Sequence, residues 1–172
     1  GRTDAGVPAR GQVAPLDVAP ELADRVTARR VNGVLKRRAP DPGVHQIREV
    51  PEAFDARFGA LRRRYEYRLR GAGARRDPLT ARFTAEVPRS LDLEAMRRAS
   101  GELLGLQDFT TFCKAREGAT AVRELLRFDW RETEDGALAA TIEADAFCHS
   151  MVRALVGAVV AVGSKRIDEA EL

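Results

Sequence analysis

The fold is decided by residues 122–144, which read VRELLRFDWRETEDGALAATIEA. Two runs rich in aliphatic and aromatic residues, Val122–Glu132 and Ala137–Ala144, flank the turn-forming triplet Glu134-Asp135-Gly136. Such runs on either side of a short, glycine-containing turn predict two antiparallel strands that form a hairpin. The centre of the second half of the chain is therefore predicted to be an antiparallel sheet.

The segments next to this hairpin predict a third strand and two helices. Apolar and charged residues alternate along Arg62–Arg70, where Tyr65, Tyr67 and Leu69 are expected to share one face. A helix is predicted from Ser90 to about Leu104, with Gly105 as its stop. A second, apolar helix is predicted over His149–Val162.

The first sixty residues alternate between extended and helical patterns. We expect strands over Gly11–Val18 and Val44–Val50, with a helix over Pro20–Leu35 between them. The loop Lys36–Gly43 and the connection Pro51–Leu61 complete this region. Helices that are interspersed among hairpin-like strands favour an α+β fold with antiparallel sheets over a doubly wound parallel fold.

Charge is distributed unevenly along the 172-residue chain, whose formal net charge is +3. Residues 25–76 hold fifteen Arg and Lys against five Asp and Glu, a balance of +10, and the remainder therefore carries 3 − 10 = −7. A basic block of this kind predicts a surface for a polyanion such as RNA, and the alternative is an ordinary solvated charged face.

Composition limits the class of protein and its compartment. A hydrophobic content of 44% suits a globular domain, and the longest apolar run, Ala154–Val162, is shorter than the roughly 18 residues of a membrane span. The cysteines, Cys113 and Cys148, lack Cys-x-x-Cys spacing, so we expect neither a disulfide framework nor a zinc site. We therefore expect the protein to work in a reducing cytoplasm.

The two ends of the sequence interrupt recognisable patterns. Gly1 starts within a motif and Ile167–Leu172 resembles the first turn of a helix, so we expect a chain truncated at both ends.

Three places contain residues suited to chemistry. The first is the small, turned segment Gly1–Gly6, where Arg2 would keep the carboxylate of Asp4 ionised, as a nucleophile requires. The alternative is a turn in which Asp4 caps a backbone amide.

The second place is Arg63–Tyr67, where a tyrosine among arginines could stack on a base. The alternative is an amphipathic strand with a buried aromatic face.

The third place is Phe147–Gly157, where Arg153 interrupts an apolar helix. A buried arginine is costly unless it has an acidic or phosphate partner, and the alternative is a side chain that extends to solvent at the flank of the helix. Cys148 and His149 also suggest metal or Cys/His chemistry, but further ligands at a suitable spacing are missing from the sequence.

These three stretches resemble the signatures of the tRNA pseudouridine synthase A family. Gly1–Val7 is similar to the first motif, Phe54–Tyr67 to the second and Phe147–Gly157 to the third, and Leu103–Phe112 adds a fourth matching stretch. The chain departs from the family at three positions, because Pro8, Pro15 and Ser150 stand where histidine is usual. The departures leave the resemblance of the catalytic positions intact.

The resemblance implies two ferredoxin-like, RRM-like α/β units whose antiparallel sheets face a basic RNA-binding cleft. Residues 1–50 would form the catalytic first unit and residues 51–172 the second. It also implies a cytoplasmic homodimer that binds tRNA and uses neither a cofactor nor a metal. A uridine of the anticodon stem-loop, at tRNA positions 38–40, would be flipped out and isomerised to pseudouridine.

The resemblance also assigns roles to single residues. Asp4 would be the catalytic aspartate, Arg153 and Arg2 would hold it ionised, and Tyr65 would stack on the uracil. RNA phosphates would be bound by Arg10, Arg62, Arg63, Arg64, Arg75 and Arg76. One alternative is an RNA-binding module of the same fold that has lost efficient chemistry, and another is an α+β oligomerisation domain with a solvated basic face.

Overall fold

The computed structural model describes residues 3–4, 6–114, 118 and 120–172. The chain divides into two compact units, residues 1–60 and residues 61–172. The predicted assignment of catalytic and supporting roles to residues 1–50 and 51–172 stays a prediction.

The first unit contains a short 3₁₀ helix, Pro20–Arg25, and helix α1, Ala28–Arg38. The single helix predicted over Pro20–Leu35 is therefore split, and Lys36–Arg38 belong to α1 rather than to a loop. The break occurs because Thr27 caps α1 with its own side chain, whose Oγ1 accepts a bond from the Arg30 amide at 3.4 Å.

The two strands predicted in the first unit, Gly11–Val18 and Val44–Val50, are wrong. Both segments are irregular, and the described residues of this unit contain no strand with which they could pair. At Val44 the backbone instead bonds to the side chain of Asn32 on α1, which donates to its carbonyl at 2.8 Å and accepts from its amide at 2.7 Å.

The second unit contains a five-stranded mixed sheet. Its strands are β1 Arg63–Arg70, β2 Thr84–Glu86, β3 Gly105–Asp108, β4 Val122–Glu132 and β5 Leu138–Ala144. They lie in the order β2-β1-β5-β4-β3, and every pairing is antiparallel except that of β1 with β2. The expectation of purely antiparallel sheets is therefore wrong at one edge. There the connection after β1 brings β2 back beside β1, and the two strands run in the same direction.

The predicted hairpin and the third predicted strand are confirmed within a residue. In β1, Tyr65 and Tyr67 lie opposite Ile142 and Ala140 of β5 on the face that contributes to the core, whereas Arg64 and Glu66 are exposed. Strands β2 and β3 were not predicted, because three and four residues are too few to show an alternating pattern.

Two helices, α2 Leu93–Glu102 and α3 Met151–Gly163, complete the core of the second unit. The largest fully buried side chains include Phe109, Met96, Ile142, Met151 and Leu155. Helix α2 begins after Asp92, whose carboxylate accepts from the Ala95 amide at 3.0 Å and whose own amide donates to the Gly163 carbonyl at the end of α3. The two predicted helices are thus present, with α3 beginning two residues later than predicted.

Cys113 and Cys148 form a disulfide, with their Cα atoms 5.6 Å apart. The expectation that these cysteines stay unpaired is wrong. Spacing along the chain does not reveal that the segment after β3 and the segment before α3 meet in space.

Within the described ranges, every helix is too short or too polar to cross a membrane.

The β4–β5 turn contains an acidic group that we expect to control acid stability. Asp135 accepts hydrogen bonds from the Thr133 hydroxyl and from Arg68 Nη2 at 2.8 and 3.0 Å, and these partners lower its pKa to about 2. Because the folded pKa lies below the ordinary aspartate value of 3.8, the stabilisation is complete above about pH 4 and is lost as the pH falls towards 2.

We therefore expect Asp135→Asn to be less stable than the wild-type protein at pH 6 and closer to it at pH 2.5. Urea unfolding midpoints measured across this range report the difference. Glu134→Gln is the matched control, since it removes the same charge from the exposed neighbouring position. A constant gap between wild type and Asp135→Asn would contradict the expectation.

Candidate functional site

In the first sequence motif, hydrogen bonds join Thr3 and Asp4 to Val7. The Val7 amide donates to the Asp4 carbonyl at 3.1 Å, and the Thr3 hydroxyl donates to the Val7 carbonyl at 2.9 Å. Gly6 has φ +78°, a conformation that favours glycine, and this explains the glycine at that position. The side chain of Asp4 is exposed. Arg2, its predicted neighbour, lies outside the described residues.

In the first unit, residues that follow the first motif lie close to the first residues of the second motif. Val13–Pro15 and Phe54–Arg57 line a cavity of about 290 Å³ within the first unit. The second segment is shaped by Asp55, whose carboxylate accepts from the Phe58 amide at 2.7 Å and the Arg57 amide at 2.6 Å. These two bonds lower the pKa of Asp55, so the turn is held by an ionised carboxylate at neutral pH.

Tyr65 lies near the start of β1, where its ring meets that of Phe147. The two ring centroids are 5.3 Å apart and the planes cross at 81°, an edge-to-face arrangement that aromatic pairs prefer. Tyr65 is half-buried, so part of the ring is available to a ligand. The structure thus joins one residue of the second motif to one of the third.

The segment between β5 and α3, residues 145–150, is held at several points. Arg63 donates to the Asp145 carbonyl at 3.1 Å, and the Asp145 carboxylate accepts from the amides of Glu124 and Ala146. The Lys114 amide donates to the His149 carbonyl at 3.1 Å, beside the Cys113–Cys148 disulfide. These bonds hold the β5–α3 connection, which contains Phe147, in place.

Arg153 lies in the first turn of α3 and is exposed. Its Nη2 donates to Ser150 Oγ at 3.1 Å, and that oxygen lies 3.0 Å from His149 Nδ1. Asp4 belongs to the first unit and Arg153 to the second, and their pairing stays a prediction.

The predicted RNA-binding arginines lie in different surroundings. Alternation along β1 places Arg63 on the face of Tyr65 and Arg64 on the opposite face. Arg62 pairs with Glu143 at 3.2 Å, although its side chain remains 70% exposed. Arg10 lies at an exposed bend of the first unit.

The loop Gly71–Pro78 lines a cleft of about 860 Å³ together with the β4–β5 turn. Arg75 and Arg76 contribute positive charge, and Arg76 pairs with Glu86 at 2.9 Å. Acidic side chains also line the cleft, namely Asp77, Glu132, Glu134 and Asp135. The cleft is therefore of mixed charge.

Sequence reasoning missed Asp145 and did not foresee the structural bond of Arg63. Asp145 bonds the end of β5 to β4, and Arg63, which was predicted to bind phosphate, bonds the same segment to β1. The signal for Asp145 was its position directly after the strand, where a carboxylate can accept from backbone amides. In the part of the chain that the structure describes, no three His, Cys, Asp or Glu side chains cluster as a metal site requires.

Comparison with known proteins relates the chain to one group of enzymes. Residues 99–172 match the family model described as tRNA pseudouridine synthase. The chain is similar to proteins named tRNA pseudouridine synthase A, with 51% identity for that of Leifsonia xyli subsp. xyli, 51% for that of Cutibacterium acnes and 46% for that of Mycobacterium leprae.

These alignments cover nearly the whole chain but only part of each relative. They include 100%, 96% and 96% of this chain, and 65%, 59% and 62% of the respective relatives. The chain therefore spans less than two thirds of the length of the curated relatives it matches. The alignment with the Leifsonia xyli relative includes all three motifs, because it spans the entire chain.

Proposed function

This chain belongs to the tRNA pseudouridine synthase A family, and from that membership we propose that the protein isomerises uridines of tRNA to pseudouridine. The observation that carries the proposal is 51% identity over an alignment that includes the entire chain, with Asp4, Tyr65 and Arg153 in the matching motifs. Anticodon stem-loop uridines are the proposed targets, and cytoplasmic action as a homodimer is part of the same proposal.

The proposed fold of the whole enzyme is two ferredoxin-like units that face a basic cleft. The second unit supports this architecture through its order of two strands, a helix, three strands and a helix around one sheet. The basic block of residues 25–76 supports an RNA-facing surface, since it gathers a charge of +10 within less than a third of the chain.

The proposed chemistry begins with a flipped-out uridine, because the reacting bond is inaccessible inside a stacked helix. Asp4 acts at the sugar or the base, the N1–C1′ bond breaks and the uracil turns. C5 then bonds to C1′, C5 loses its proton, and N1 gains one. The carboxylate of Asp4 is exposed and can therefore approach such a substrate.

Tyr65 and Arg153 are proposed to support Asp4. The part-exposed ring of Tyr65 can stack on the uracil, while Phe147 packs against it from the side. The positive charge of Arg153 would favour the ionised form of Asp4 and so keep it reactive. Neither role calls for a metal or an organic cofactor.

A second candidate is an RNA-binding module that lacks efficient chemistry. It is favoured by Pro8 and Pro15, which replace the usual histidines in the first motif. Both candidates predict RNA binding that weakens as salt increases. Only product formation separates them.

The test uses the full-length protein and tRNA transcripts that contain uridine tritiated at C5. Pseudouridine formation releases this tritium to water, because the new bond to C1′ replaces the C5–H bond. Release of one tritium for each modified uridine would support the synthase. Tight, salt-sensitive tRNA binding without release would favour the RNA-binding module, and loss of both would reject the two candidates together.

A further inference from the structure

Ser150 occupies the position before α3 in an unusual backbone conformation. Its φ of 68° is one of two positive values among the described non-glycine residues. Serine before a helix normally accepts a bond from an amide of the first turn, but Ser150 makes no such bond. Its presence therefore needs a reason other than helix capping, since left-handed backbone is unfavourable for any residue with a Cβ.

The Ser150 hydroxyl is directed at two side chains instead. Oγ accepts from Arg153 Nη2 at 3.1 Å and lies 3.0 Å from His149 Nδ1. The three groups are compatible when the hydroxyl donates its proton to Nδ1 and the imidazole carries its own proton on Nε2. Arg153 lies three residues after Ser150, at a spacing that brings side chains together along a helix.

We propose that Ser150 is a positioning residue that fixes the guanidinium of Arg153 in one orientation for the reaction. The inference rests on the proposed function, and it assigns a role to a position where this chain departs from its family. An arginine side chain has many rotamers, and fixing one of them before the substrate arrives reduces the entropy that catalysis must overcome.

A hydroxyl suits this role because it is uncharged. Ser150 Oγ holds one terminal nitrogen of Arg153 by a hydrogen bond, but it does not neutralise the guanidinium as a carboxylate would. Strained backbone is tolerated at functional sites for reasons of this kind, where it directs a side chain that an ordinary conformation would turn away.

The decisive variant is Ser150→Gly, because it removes the hydroxyl and also relieves the positive φ. We expect kcat to fall roughly 10-fold to 100-fold, as for loss of a hydrogen bond to a charged group, with KM for tRNA little changed. The melting temperature should be equal or higher, since glycine adopts this backbone without strain. A structural role would instead lower stability and turnover together.

Two variants complete the test. Lys165→Gly is the matched control, because Lys165 has the other positive φ, 57°, at the far end of α3. It should raise stability and leave kcat unchanged. Ser150→Asn should retain more turnover than Ser150→Gly, because asparagine tolerates positive φ and offers an amide oxygen to Arg153.

A second measurement reports on Arg153 itself. In ¹⁵N spectra of the full-length protein, Arg153 Nε–H should exchange slowly and its guanidinium should rotate slowly in the wild type, and both rates should rise in Ser150→Gly. An active wild type with unchanged kcat and unchanged arginine spectra in Ser150→Gly would overturn the role of Ser150 alone. A wild-type protein that makes no pseudouridine would overturn the proposed function and this role with it.

Discussion

Asp4→Asn is expected to abolish pseudouridine formation, with a fall in turnover on the order of 10³-fold or more. Asparagine keeps the size of the side chain and the bonds that join Thr3 and Asp4 to Val7, which are made by backbone groups and the Thr3 hydroxyl. It removes the charge on which reaction at the sugar or base depends. Tritium release from tRNA, measured in single-turnover conditions, gives the rate.

Binding of tRNA should survive this change. Affinity depends mainly on contacts between arginines and phosphates, and the loss of one negative charge does not weaken them. Asp41→Asn is the control, because Asp41 is another exposed carboxylate in the same unit. If Asp4→Asn lost affinity as much as turnover, Asp4 would be a structural residue rather than the chemical group.

Phe109→Ala is expected to lower the free energy of unfolding by about 3–5 kcal/mol, as for other large-to-small changes in a core. Phe109 is only 1% exposed, and its ring lies 6.1 Å from that of Phe112 between centroids. Its amide donates to the Ala121 carbonyl, and alanine keeps this backbone bond, so the change tests the side chain alone. Guanidinium unfolding curves give the change.

The matched variant is Phe83→Ala, which removes the same side chain from a position that is 48% exposed. It should cost less than about 1 kcal/mol, because water already contacts half of the ring. A similar loss from both variants would mean that burial does not explain the contribution of Phe109. A small loss from both would mean that the core around Phe109 relaxes into the space.

The parts of the fold that could be predicted are those in which one segment contains the whole signal. The β4–β5 hairpin has two long runs and a glycine turn, and β1 alternates over eight residues, so local sequence was sufficient. The segments Gly11–Val18 and Val44–Val50 show similar patterns without becoming strands. A strand also needs a neighbour to pair with, and the local pattern does not contain that information.

The candidate site shows the same division. Motif similarity predicts Asp4, Tyr65 and Arg153 as site residues, but the edge-to-face contact of Tyr65 with Phe147 joins residues 82 positions apart (147 − 65 = 82). The disulfide was missed for the same reason. Ser150 was noted only as a departure from the family, since its positive φ and its bond to Arg153 are properties of the folded chain.

The disulfide has a topological consequence for the second unit. It joins residues 35 positions apart, and the entire β4–β5 hairpin lies between them. A protease that cuts the exposed tip at Glu134 or Gly136 therefore opens a closed ring and does not divide the polypeptide. Strands β1–β3 and helix α2, which precede the ring, stay covalently attached to α3 after such a cut, until a reductant releases them.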